Sequence, residues 1–304
     1  METYHQPVLL EAVLEHLLAG SPAVVLDATL GGGGHSEAIL EALPSCRLIG
    51  MDADEAALEF AGARLKKFGA RFQAVHGNFR TMDECLAGVD VRCVDAILMD
   101  LGVSSRQLDD PDRGFSFRFD GPLDMRMDSA TGISAAEWVN QATEEELARI
   151  IRDYGEERHA KRIARTIVHE RKTNEIRTTQ QFSELVARAV GAPAQAHRRS
   201  GARGGKIHPA TRTFQAIRIV VNDELGALEE GLAKAVELLS VGGRLAVITF
   251  HSLEDRLVKN LFRREQKSTG RLRWINKHVI RPEYEEIRSN PRSRSAKLRV
   301  VERL

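Results

Sequence analysis

Val24-Val25-Leu26-Asp27-Ala28-Thr29-Leu30-Gly31-Gly32-Gly33-Gly34-His35 is the stretch whose reading decides the fold. A short β-branched apolar run ends in an acid, four glycines follow, and Ser36 to Leu43 reads as a helix. That is strand, tight loop and helix, the opening unit of a nucleotide-binding α/β domain. Glycines in the loop let backbone approach a ligand that a Cβ would hold away. The N–H groups that begin the helix then face an anionic or polar group. Alone, the loop also fits a ligand-free Gly-rich turn, and it does not name a cofactor.

Outward from the loop the pattern repeats. A second strand, Arg47–Asp52, places an acid about 20 residues after the glycines, where doubly wound folds hold ribose hydroxyls. A helix is predicted from Glu55 to Phe68, then a strand at Phe72–His76 that runs into Gly77-Asn78-Phe79. A fourth strand, Ala96–Asp100, again ends in an acid. Four successive strands thus deliver Asp27, Asp52, Asn78–Phe79 and Asp100 to one edge. Any one of these acids reads equally well as a turn or cap residue. Four in register beside a glycine loop point to a cofactor crevice at the carboxyl ends of the strands.

Before this unit, residues 5–19 space their apolar side chains as a helix, with Pro7 near its start. After it, from about Arg106 to Lys206, strand alternation gives way to helical signals. Ser134 with Glu137, and Thr143 with Glu146, have the spacing of capping boxes, and Phe182, Leu185, Val186 and Ala189 form an apolar stripe. Residues 191–206, rich in Gly, Ala and Arg, read as a basic loop. The α/β pattern resumes at Pro209 with a long helix from Thr211 to Leu239, a Gly242-Gly243 turn and a strand at Arg244–Phe250. A helix then starts at His251-Ser252-Leu253-Glu254-Asp255, with Ser252 and Asp255 as its capping box, and Ser295–Leu304 forms a last strand. His251 reads as either a pocket residue at the mouth of the sheet or a locally packed one.

The 304 residues suffice for one domain carrying a large insert, and 42% hydrophobic with 29% charged residues is ordinary globular composition. Acids Glu2, Glu11 and Glu15 interrupt the N-terminal apolar run, so no leader or span is read there, and a cytoplasmic protein is expected. Three cysteines without a CxxC pair indicate neither a disulfide framework nor a metal site. A net charge of +1 hides local asymmetry. No acid lies between Glu184 and Asp223, and nine Lys or Arg residues from Arg256 to Arg281 face Glu265 alone. Arg288 to Arg299 adds five more bases without an acid. Such stretches suit a phosphate backbone, although solvated helix faces produce them too.

At this point the chain closely resembles a known family, the bacterial MraW (methyltransferase H) family of ribosomal RNA small-subunit methyltransferases. Matching blocks are His5-Gln6-Pro7-Val8-Leu9-Leu10, Gly33-Gly34-His35-Ser36 and Asp100-Leu101-Gly102-Val103-Ser104-Ser105-Arg106-Gln107-Leu108-Asp109. Others are Arg113-Gly114-Phe115-Ser116-Phe117, Gly121-Pro122-Leu123-Asp124-Met125-Arg126-Met127-Asp128, Tyr154-Gly155-Glu156-Glu157-Arg158, His208-Pro209-Ala210-Thr211-Arg212-Thr213-Phe214-Gln215-Ala216, Phe250-His251-Ser252-Leu253-Glu254-Asp255-Arg256 and Asn290-Pro291-Arg292-Ser293-Arg294-Ser295.

The resemblance implies an α/β, Rossmann-like class I S-adenosylmethionine-dependent methyltransferase sheet with an inserted all-helical domain. The sheet domain would take 1–105 and 207–304, and the insert, 106–206, would recognise RNA. It implies N4-methylation of a cytidine in the decoding region of 16S rRNA on the small ribosomal subunit. S-adenosyl-L-methionine would be held by Gly33, Gly34, His35, Asp52, Phe79, Asp100 and Gln107. Asp100 would also orient the acceptor amine, while Arg113, Phe115, Arg212 and His251 are candidates for the RNA path. No metal and no membrane are implied, and a homodimer is left open. Two readings compete with a methyltransferase: a nicotinamide-dependent oxidoreductase, for which Asp52 suits equally well, and a non-catalytic RNA-binding assembly factor.

Overall fold

A computed structural model describes residues 7–192 and 208–304. His5, Gln6 and most of the basic loop, with Arg198, Arg199, Arg203 and Lys206, lie outside the described residues. In chain order the elements are α1 (Leu10–Leu17), β1 (Val24–Asp27), α2 (Gly34–Ala42), β2 (Arg47–Asp52) and α3 (Glu55–Leu65). Next come β3 (Phe72–His76), α4 (Met82–Ala87), β4 (Val94–Asp100) and α5 (Ser105–Asp109). Helices α6 (Ala135–Gln141), α7 (Glu144–Asp153), α8 (Ala160–Glu170), α9 (Thr179–Val190) and α10 (Ala210–Val221) follow. The last elements are α11 (Glu224–Leu238), β5 (Leu239–Thr249), α12 (Ser252–Arg264), β6 (Leu272–Trp274), α13 (Tyr284–Ser289) and β7 (Lys297–Arg303).

These elements fall into two compact units. The first comprises the described residues within Met1–Gly102 and Leu225–Leu304. Its seven strands form one sheet in the order β3-β2-β1-β4-β5-β7-β6. Strands β1 to β5 are parallel, and β7 runs antiparallel between β5 and β6. The expected Rossmann-like sheet is what forms. Central strands are apolar on both faces because helices cover both, as parallel sheets require. Leu26, Ile49, Ile97 and Val247 pack on one face under α11 and α12, with Leu228, Leu232 and Phe262. Val25, Leu48, Leu98 and Ile248 pack on the other with Val13, Ile39, Leu40 and Ala61 from α1, α2 and α3. Strand order reverses between β1 and β4, so a crevice opens at their carboxyl ends, beside Asp27 and Asp100.

The second unit, Val103–Glu224, is helical and takes in α10. Its core joins Leu147 and Ile151 of α7, Ile163 and Ile167 of α8, Phe182 of α9, and Phe214 and Ile217 of α10. Helices α5, α6, α7 and α9 start at side-chain caps. Ser134 and Glu137 form the expected reciprocal box. Thr143 accepts the N–H of Glu146, and only that half of its box is present.

Four predicted elements are corrected. The helix read over residues 5–19 runs from Leu10 to Leu17, after Leu9 turns left-handed (φ 54°). The long helix from Thr211 breaks at Asn222–Asp223, where Asp223 turns left-handed (φ 46°), giving α10 and α11. The fifth strand begins at Leu239, not Arg244, and carries Gly242-Gly243 as a bulge against β4 rather than a turn before it. The helix from Glu55 ends at Leu65, and Lys66–Arg71 tightens into a 3₁₀ turn.

Candidate active site

The glycine loop is shaped by packing as much as by any ligand. Gly33 caps α2 with φ 73°, a left-handed conformation that suits glycine. A Cβ on Gly33 would lie 3.2 Å from Ala61 and Leu65 of α3. A Cβ on Gly34 would lie 2.6 Å from Pro7. The missing side chains therefore let the loop press against α3 and the N-terminal segment, while the Gly33 N–H donates to the Leu30 carbonyl at 2.8 Å. Arg64 ties the loop further, donating to the Gly32 carbonyl and to Glu37.

Asp52 closes β2 over this loop. Its Oδ2 accepts the N–H of Gly31 at 2.7 Å and its Oδ1 accepts that of Asp54 at 2.9 Å. Burial pushes its carboxyl upward, against the pull of these amides. Each oxygen has one backbone donor, which leaves acceptor capacity for a ligand hydroxyl. Phe79, after β3, packs against α11, where Gly231 leaves room for it: a Cβ there would stand 2.7 Å from the ring and 3.1 Å from the Phe79 carbonyl.

That contact gives a sign test. In an open helix, Gly→Ala stabilises by about 1 kcal/mol. At Gly231 the clash with Phe79 outweighs this, since overpacking costs about 1–3 kcal/mol. Gly231→Ala is expected to lower the Tm by a few degrees and to weaken cofactor binding about tenfold by displacing the ring. A raised Tm with unchanged affinity in calorimetry would count against the assignment of Phe79.

Around the switch point three titratable side chains, Asp27, His35 and Asp100, stand close together. Asp27, almost wholly buried, accepts the Ser36 hydroxyl at 2.6 Å and the Thr29 N–H at 3.3 Å. Burial outweighs those donors and raises its carboxyl to about 6. The Thr29 hydroxyl in turn accepts the N–H of Asp100 at 2.6 Å, locking the end of β4 to the loop. His35 Nε2 donates to the Val8 carbonyl at 2.9 Å, so its Nδ1 carries the lone pair and faces Asp100 Oδ2 at 3.6 Å. Burial lowers the His35 pKa to about 4, so the ring stays neutral.

Asp100 is the residue this arrangement leaves unfinished. Its side chain keeps 24% of its surface, while Oδ1 is buried with no hydrogen-bond partner among the described residues. Burial first, then the charges of Asp27 and Glu254, push its carboxyl up to about 8.

His251 corrects the expected cap. It, not Ser252, caps α12: Nδ1 accepts the Glu254 N–H, and Glu254 reaches back to the N–H groups of Phe250 and His251. His251 Nε2 lies 3.2 Å from Glu254 Oε1, and it too is buried without a hydrogen-bond partner among the described residues. The edge formed by adjacent strands β4 and β5 thus carries an orphaned acceptor and an orphaned ring nitrogen. Buried polar groups are ordinarily satisfied, so two together mark a place where something else binds.

The remaining predicted residues belong to the helical unit. Gln107 is buried and completes a capping box with Ser104 on α5. Arg113 donates to the carbonyls of Arg126 and Met127 and sits over the Phe115 ring. Phe115 is buried in that unit's core and so is not a free stacking platform. Arg212 is half exposed, with Glu157 at 3.8 Å and the Glu156 carbonyl at 3.3 Å. Sequence reasoning missed Thr29 and Glu254. The four-residue reach from Phe250 to Glu254 was the available sign of the second.

Among known proteins, the chain is similar to ribosomal RNA small subunit methyltransferase H of Carboxydothermus hydrogenoformans, 51% identical, covering 100% of this chain and 99% of that one. The enzyme of the same name from Thermomicrobium roseum is 50% identical, covering 100% and 95%, and that from Geobacter sulfurreducens is 49% identical, covering 99% of each. The model of the MraW methylase family matches residues 2–304. With the parallel sheet and the unfinished edge beside its glycine loop, the whole-length match has one meaning: this chain belongs to the MraW methylase family.

Proposed function

We propose that the chain methylates small-subunit ribosomal RNA with S-adenosylmethionine, at N4 of a cytidine in the decoding region. The observation that carries this reading is the pair of orphaned polar atoms, Asp100 Oδ1 and His251 Nε2, at the strand edge beside the glycine loop. The residues present fit the cofactor. The amides of Gly34 and His35 suit its methionine part beside Gly33, whose own N–H is held by the Leu30 carbonyl, spare lone pairs on Asp52 suit a ribose diol, and Phe79 offers a face to adenine. Asp100 suits a cationic group, and Gln107 comes to this set from the family pattern. When bound, the cofactor supplies an electrophilic methyl group on a sulfonium.

The chain's own residues supply position and polarity. A cytosine amine is a poor nucleophile because its lone pair is delocalised into the ring. It must be held in line with the methyl group, out of the base stack. Asp100 Oδ1, once ionised, accepts a hydrogen bond from the amine and can take its departing proton. His251 Nε2–H can donate to a base carbonyl or phosphate, and Arg212, half exposed, to phosphate. Arg113 and Phe115 would act on RNA by holding their loop in shape. A homodimer and a cytoplasmic location remain part of this reading; no helix among the described residues is long and apolar enough to cross a membrane.

Mass mapping of rRNA from cells lacking the protein tests it. One methyl group should vanish from a single decoding-region cytidine and return when purified protein and S-adenosylmethionine are added. An unchanged methylation map would overturn the assignment.

A further inference from the structure

The basic stretch from Arg256 to Arg281 plays no part in the chemistry above, and its placement in the sheet unit gives it a form. Helix α12 opens at His251, on the same strand edge as Asp100, and buries Val258, Leu261 and Phe262 against the sheet. Its outer face is cationic. Arg256, Arg263 and Arg264 are exposed, Lys259 is half-buried, and Lys267 is exposed just beyond the helix end.

The acids of this segment are turned away or engaged. Glu254 is buried in the cap, and Asp255 is bound by Lys297 at 3.1 Å and Arg299 at 2.7 Å. Glu265 is buried and held by Arg271 at 2.8 Å. Lys259 and Arg263 stand four residues apart, about 6 Å along α12, and Lys267 follows four residues on, in the π-helical turn Glu265–Thr269. None of the three makes a side-chain hydrogen bond or ion pair among the described residues. Surface cations in folded proteins commonly find an acid within reach. Asp255, one turn before Lys259, is taken by Lys297 and Arg299, and a row paired with no acid keeps its potential for a polyanion.

We propose that Lys259, Arg263 and Lys267 form a phosphate track on the sheet unit, which carries the RNA backbone toward the edge where Asp100 and His251 stand. The inference rests on the proposed rRNA substrate and adds a second grip to the one expected of the helical unit. A backbone track fixes register without reading sequence. It suits an enzyme that must hold the flanking strand while one base is drawn out of its stack.

The test is the salt dependence of binding to a decoding-region RNA fragment. Each phosphate contact contributes about −0.7 to −0.9 to the slope of log K against log salt. Lys259→Gln, then adding Arg263→Gln, then Lys267→Gln, should flatten the slope stepwise, by about two in the triple variant. The dissociation constant should rise about tenfold or more at physiological salt. Calorimetric affinity for S-adenosylmethionine and the Tm should stay at wild-type values. Lys66→Gln with Arg92→Gln, taken from exposed positions before β3 and β4, should leave the slope unchanged.

An independent readout uses the unaltered protein: Lys259 and Lys267 should be shielded from acetylation by bound RNA. An unchanged slope in a folded triple variant, or acetylation indifferent to RNA, overturns the track while leaving methylation of rRNA intact. So does a triple variant that loses affinity only for vesicles of anionic lipid. If the wild-type protein neither binds nor methylates the RNA, the substrate reading itself falls.

Discussion

Asp100→Asn is expected to lose methyl transfer and, at the same time, to melt above the wild-type protein at pH 8. The carboxyl titrates near 3.8 in an unfolded chain and near 8 in the fold. Between those values the unfolded state has shed its proton while the folded state keeps it. The folded state therefore binds more protons, and its stability falls as pH rises through this window. The side chain's partial exposure trims the cost, which is on the order of 1–3 kcal/mol at neutral pH. Asparagine does not titrate, so the variant escapes it. The two proteins should melt together near pH 4 and diverge upward to pH 8, with the variant ahead by several degrees. Single-turnover transfer should fall by about a hundredfold or more, because an amide is a weaker acceptor for the amine than a carboxylate. Differential scanning across pH and rapid-quench transfer check the two halves. Transfer at the wild-type rate would sink the role of Asp100, and a wild-type protein that gains stability toward pH 8 would sink its burial cost.

Such a residue is stabilised nowhere but in function, and that is why sequence pointed to it. An acid at the end of an otherwise apolar run has no packing reason to be there. The same logic made Asp27 and Asp52 legible. Glycines next to His35 were legible as a loop, but their reason was not: Gly34 meets Pro7, and His35 meets the Val8 carbonyl, contacts between segments far apart in sequence. The parallel strands β1 to β4 could be read because apolar runs of their length, bounded by turn residues, have few other solutions. Where the reading failed, a local rule was overridden. Asp223 takes a left-handed turn that usually advertises itself with glycine. Gly242-Gly243 looks like a turn but forms a bulge, with Gly243 so close to the Ser240 and Asp95 carbonyls that no Cβ would fit. β6 is three residues inside a basic stretch, too short for any period to show. Phe115 is a candidate for the RNA path from its place beside Arg113, yet that spacing equally describes an aromatic turned into its own core.

The helix cap at His251 links the phosphate track to the acid, and Glu254 is where the link can be cut. Its Oε2 accepts the N–H of Phe250 at 2.8 Å and that of His251 at 3.2 Å, and the side chain is 3% exposed. Glu254→Ala would leave two buried donors unanswered at the start of α12, a loss of about 2–4 kcal/mol. Lower expression and a Tm reduced by several degrees should follow. Glu254→Gln keeps an acceptor in place and removes only the charge, so it separates the two roles. That charge is one of the causes that hold Asp100 up, and without it the Asp100 carboxyl ionises at lower pH. A cationic ligand prefers the ionised carboxylate. Affinity for S-adenosylmethionine should therefore rise with pH in the wild-type protein, as Asp100 passes through about 8. The rise should come at lower pH in Glu254→Gln and be absent in Asp100→Asn. Calorimetric titrations from about pH 6 to about pH 9 resolve these three profiles. If Glu254→Gln and wild type superimpose, Glu254 serves the helix alone, and the acid at the end of β4 is set by burial and Asp27 without it.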